Sequence, residues 1–193
     1  MKALVLYGLL SAFCLQANDT VKVLFVYGSR PKTKSEAKWF GGIHGGHVSV
    51  QYGQGYASFI PRGKFHVVRS RKDFHSAFTT EEGRSFVFDT SNCRYAIISI
   101  PVTASRKKAL DSVISVRLDS TPYDYAFIGM RCASSAYEVM SSAGIFPSMS
   151  HAGMVRKYFY PKKLRKRLLK EARKNHWPVF YRPGRSTRKW END

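Results

Sequence analysis

The sequence predicts an α+β domain in which an antiparallel sheet packs against a helix that carries a cysteine. Three observations predict it. Short apolar runs with period-two alternation, separated by Gly and Pro turn signals, fill the first half of the chain. Segments with helical spacing fill most of the second half. Cys132 stands in the first turn of one of them.

Met1-Lys2 is a short basic start, Ala3 to Leu15 an apolar run, and Ala17 a small residue at a cleavage point. This is the pattern of a secretory signal peptide over residues 1–17, and it is too short for a comfortable membrane span. Cys14 offers lipidation as an alternative, against which stands the bulky Phe13. Cleavage leaves one domain, 18–193, long enough for a core without staples. It is expected in the periplasm or outside the cell, with no transmembrane span.

Val21 to Gly28 reads as a buried strand, and Arg30 to Lys38 as a basic loop. Glycines 41, 42, 45 and 46 make a loop that leads into a strand. On that strand His47, Ser49 and Gln51 share one face, and Val48, Val50 and Tyr52 the other. Gly53-Gln54-Gly55 is a hairpin turn. Tyr56 to Ile60 and Lys64 to Ser70 continue an antiparallel meander around Pro61-Arg62-Gly63. Arg71 to Arg84 reads as a polar connection with a short helical piece. Ser85 to Asp89 and Tyr95 to Val102 are two further strands, with Cys93 in the turn between them and Pro101 marking an edge.

Thr103 or Ser105 caps a helix to about Leu118, with Leu110, Val113, Ile114 and Leu118 inward. Ala133, Ala136, Tyr137 and Met140 fall on one face of the next helix, and Gly144 is its left-handed cap. A Ser- and Gly-rich loop follows. Pro161 opens a helix to Lys174 with Leu164, Leu168 and Ala172 inward and cations, Arg165 among them, on the rest. Trp177 to Tyr181 adds a final strand before a basic tail.

The chain carries 32 Lys and Arg against 13 Asp and Glu, a net charge of +19. Fourteen of these cations, with three acids, lie from Arg156 to the end. Such a region attracts polyanions. No nucleic-acid motif accompanies it, so nucleic acid is not an expected partner and an anionic envelope surface is. The alternative is a solvated helix face and a soluble tail.

Cys132 at a helix start faces unpaired N–H groups and the positive end of the helix dipole, which favour a thiolate or an oxyanion. The alternative is a small buried hydrophobe. A nucleophilic thiol needs a base and a group to orient it, and His47 at its strand start is the candidate base. A disulfide from Cys93 to Cys132 would remove the nucleophile. His44 and His47 provide two metal ligands with no third, too few for zinc, so no metal or other cofactor is expected.

GGHVSVQYGQGYASF, followed later by PYDYAFIGMRCASSAYEVMSSAGI, resembles the circularly permuted papain-like cysteine hydrolases, relatives of NlpC-type cell-wall endopeptidases and of lecithin–retinol acyltransferase. Tyr160-Pro161 and the leucine-bearing helix after it fit the same layout, which covers roughly Val21 to Leu169. The resemblance implies His47 as base, Cys132 as nucleophile after Arg131, and Ser58 or His66 as the third polar residue. It implies a secreted cysteine peptidase acting on cell-wall peptides, or a lipid ester or amide hydrolase or acyltransferase. Tyr123, Asp124, Tyr125 and Arg131, around the nucleophile, are expected to line the substrate cleft or to pack the loop on the sheet. The rival is a non-catalytic envelope-binding protein with the Cys93–Cys132 disulfide.

Overall fold

The structure, a computed structural model, describes residues 19–28, 46–63, 66–70, 72, 74–81, 93–184 and 186. The expected signal peptide, Cys14, His44 and the Ser85 to Asp89 strand lie outside the described residues. The chain is α+β. Its strands are β1 (Asp19–Tyr27), β2 (Gly46–Tyr52), β3 (Gly55–Pro61), β4 (His66–Val68), β5 (Ser76–Glu81), β6 (Tyr95–Val102), β7 (Ala126–Ile128) and β8 (Val179–Arg182). Six of them form one sheet in the order β5-β3-β2-β1-β6-β8, with every neighbouring pair antiparallel.

The pairing register sorts the side chains. Phe25 stands opposite Val48 and Val26 opposite His47, so alternate residues fall on opposite faces. One face contributes Val23, Phe25, Val48, Val50, Phe59 and Ile98 to the main core. Each such fully buried side chain is worth about 1.5–3 kcal/mol. The other face carries His47, Ser49, Leu24 and Val26, which are also buried.

The helices are α1 (Ala104–Asp119), α2 (Cys132–Ser142), α3 (His151–Lys157) and α4 (Pro161–Asn175). All four contribute to the core that Val48 and Val50 join, α2 through Cys132, Ala136 and Met140 and α3 through Met154. Thr103 caps α1 by accepting from the Arg106 N–H. Gly144, at φ 69°, closes α2 in the left-handed region. Among the described residues, no helix is long and apolar enough to cross a membrane.

Four sequence expectations are corrected. Lys64 to Ser70 does not continue the meander: β4 leaves the sheet and pairs in parallel with β7, because Asp124 holds both His66 and the Ser70 amide. Alternation along one strand cannot name its partner. The described part of the 71–84 connection is a strand and not a helical piece, with β5 pairing along β3 and Phe78 turned into the core. The Ser-rich loop after Gly144 contains α3, capped by Ser150, whose Oγ accepts from Gly153 N–H. Arg165, counted among solvated cations, is fully buried, with its guanidinium 3.8 Å from the centre of the Tyr27 ring. Pro101 fits its edge reading: β8 pairs only with Tyr95 to Ile98, leaving Pro101 beyond its reach.

Candidate active site around Cys132

The approach to Cys132 is pinned at Tyr123, Asp124 and Tyr125. Tyr123 and Tyr125 both turn to Phe59, their ring centres 5.1 Å from its own. Asp124 between them points the other way, toward β4. Ser76 Oγ holds the segment, accepting from the Tyr125 N–H and donating to the Tyr123 carbonyl. The chain then turns through Gly129, where a Cβ would come within 3.0 Å of Ala126. Arg131 is extended and caps α2, and Ser134 Oγ accepts from its N–H at 2.8 Å.

Cys132 is therefore the first helical residue, 3% exposed, packed against β2 and β3. A cavity of about 10 Å³ lies there, room for one water at most, lined by Val48, Phe59, Ile114, Ser135 and Ala136. Tyr125 donates its hydroxyl toward Cys132 Sγ at 3.9 Å. The backbone N–H groups of Val48 and Ala133 also bear on the sulfur. Burial nevertheless raises the thiol pKa, outweighing the pull of the Arg131 charge, the Tyr125 hydroxyl and the two amides. The expectation of a thiolate stabilised by the helix start is corrected: desolvation wins and the thiol is protonated at neutral pH. Burial also raises the Tyr125 pKa far above its ordinary value, so its hydroxyl remains a donor.

His47 is 7% exposed, and burial lowers its pKa from 6.5 to about 4. Its ring is neutral near pH 7, the state a general base requires. The register puts its side chain on the face opposite the core that holds Cys132. The backbone runs closer than the side chains do, because the Val48 amide that bears on the sulfur is bonded to the His47 carbonyl carbon. Ser58 pairs with Thr79 and alternates with the core-facing Ala57 and Phe59, which sets it on the face that carries His47.

No family model, curated protein or solved structure matches the chain.

His66 does not serve His47. Its Nδ1 lies 2.6 Å from Asp124 Oδ2, and the same oxygen accepts from the Ser70 amide at 2.8 Å. Asp124 is 1% exposed, and its Oδ1 is buried with no hydrogen-bond partner among the described residues. The His75 ring meets His66 edge-on at 5.1 Å. A carboxylate that fixes a histidine tautomer is a familiar way to orient a base, yet this pair lies across the chain from Tyr125.

The remaining expected cleft residues are anchors. Tyr123 Oη bonds Ser135 Oγ and Glu138 Oε2, and Glu138 is paired with Arg117 at 2.6 Å. Arg131 is 2% exposed, its guanidinium 4.9 Å from the Phe127 ring centre, 4.3 Å from Phe159 and 5.6 Å from Tyr160. Cys93 and Cys132 are not joined by a disulfide. Among the described residues, no group of three or more His, Cys, Asp or Glu is placed to hold a metal ion. Sequence reasoning missed the Val48 amide and the buried Arg165. A backbone donor has no letter, and a cation on a lysine-rich helix carries no sign of its burial.

Proposed function

We propose that the protein is a cysteine acyl hydrolase of the permuted papain-like type, acting outside the cytoplasm on an amide bond of a cell-wall peptide. The observation that carries this reading is the convergence of three donors on Cys132 Sγ: the Ala133 and Val48 amides and the Tyr125 hydroxyl. Donors that converge on a sulfur favour the charge it gains as its proton leaves. The residue before Val48 is His47, a neutral imidazole.

The chemistry is general-base attack by a neutral thiol, without a preformed ion pair. The thiol is buried, so substrate entry opens the site. The pleat sets the His47 ring on the far face of the sheet, so this step requires the start of β2 to release its pairing with Val26 and Tyr27 and turn over. The imidazole takes the thiol proton as sulfur bonds to the carbonyl carbon. The imidazolium returns the proton to the leaving amine, and water hydrolyses the thioester. A lipid ester or amide would be cut by the same steps and is the second substrate class.

The test is mass-spectrometric product analysis on peptidoglycan and on phospholipid vesicles, with wild type, Cys132→Ala and His47→Ala. The reading expects peptide products that vanish with Cys132→Ala and fall by about 100-fold or more with His47→Ala. No products from either substrate, or a His47→Ala variant as active as wild type, would overturn it.

A further inference from the structure

The small β4–β7 sheet is the one place where aliphatic side chains gather in the open among the described residues. Parallel pairing sets Val68 beside Ile128 on one of its faces. Val67 and Phe127 alternate onto the other. Val67 is 63% exposed, Val68 64% and Ile128 59%. Apolar residues thus stand open on both faces of this two-stranded sheet, Phe127 in part, since it packs edge-on against Phe159 at 5.4 Å, and the open end is a tip and not a groove. Exposed apolar clusters of this kind mark contact sites.

Cations flank the tip. Arg69 follows Val68 and is exposed, with its Cβ beside Gly129 at the far end of β7. Phe127 and the exposed Tyr160 are joined through the Arg131 guanidinium. Tyr160 in turn opens α4, whose first turn carries Lys162 and Lys163 and no acid.

We infer that the β4–β7 tip docks on an anionic lipid bilayer, with Val67, Val68, Phe127 and Ile128 entering the headgroup–acyl boundary and Arg69, Lys162 and Lys163 meeting lipid phosphates. Three physical points favour this occupant. A bilayer takes up apolar side chains on both faces of a two-stranded tip, whereas a flat protein surface covers one. A second copy of a chain with net charge +19 brings like charge to like charge. A polar anionic polymer attracts the lysines and leaves the valines and isoleucine in water. Apolar insertion joined to electrostatic attraction is the way peripheral proteins hold anionic membranes. Docking is independent of the chemistry at Cys132.

Co-sedimentation of the full chain with vesicles of phosphatidylcholine, with and without phosphatidylglycerol, tests the inference. Wild type is expected to sediment with the anionic vesicles and to stay in solution with the neutral ones. Val68→Ser with Ile128→Ser is expected to weaken partitioning by about tenfold, and Lys162→Gln with Lys163→Gln to weaken it most at low salt. Val68, Ile128 and Lys163 are exposed and Lys162 is half-buried, and circular dichroism checks that the fold persists. Val68→Trp is expected to shift its fluorescence to the blue on anionic vesicles. Wild type that fails to sediment, an apolar variant that binds like wild type, or a Val68→Trp spectrum unmoved by vesicles overturns the inference. So does light scattering in which the apolar pair abolishes a dimer while vesicle binding is unchanged.

Discussion

Acidification should destabilise this fold through His47. Burial holds the imidazole neutral, with its pKa lowered from 6.5 to about 4. Unfolding returns the group to its ordinary value, so between these two pH values the unfolded chain binds the extra proton. Stability is intact above about pH 6.5 and is lost as pH falls toward 4. The complete displacement corresponds to about 3 kcal/mol, and to about 2 kcal/mol between neutral pH and about pH 4.5. That is a large share of a domain's stability of about 5–15 kcal/mol. The perturbation is His47→Gln, which keeps a polar side chain and removes the titration. Urea unfolding is followed by tryptophan fluorescence for both proteins at both pH values. Other groups titrate in each, so the double difference isolates His47. Wild type should lose about 2 kcal/mol more than His47→Gln on acidification. Equal losses would contradict a buried neutral His47, because an imidazole already accessible to protons has nothing to lose.

Two further perturbations test the local geometry. Tyr125→Phe removes the hydroxyl that draws the Cys132 pKa down, so the midpoint of iodoacetamide labelling against pH should move to higher pH. A downward movement contradicts the assigned donor. Gly46 has φ 96°, and a Cβ there would lie 2.2 Å from the Val26 carbonyl oxygen. Gly46→Ala should therefore cost more than about 2 kcal/mol in urea unfolding, and a loss below about 0.5 kcal/mol refutes the close approach.

Period-two alternation placed β1, β2, β3 and β6, and it sorted His47 from Val48 correctly, because one face of each strand joins a shared core. Helical spacing with Thr103, Gly144 and Pro161 as punctuation placed three of the four helices. Partner choice was not legible. β4 carries the alternation of a meander strand, and only the Asp124 contacts, which span more than fifty residues, assign it to β7. α3 was missed because its seven residues are too few to establish a period. At the site, the helix start under Cys132 was legible and the electrostatics were not. The sign of the thiol shift depends on how much water burial removes, and no local motif reports that.

In the proposed reaction Cys132 attacks a carbonyl with His47 as its base. Intact-protein mass spectrometry after brief exposure to a p-nitrophenyl ester measures this most directly. One acyl group is expected, mapped to Cys132, absent from Cys132→Ala and sharply reduced in His47→Ala across neutral pH. An acyl group that accumulates at the same rate with and without His47, or that maps to Cys93 in place of Cys132, would contradict it.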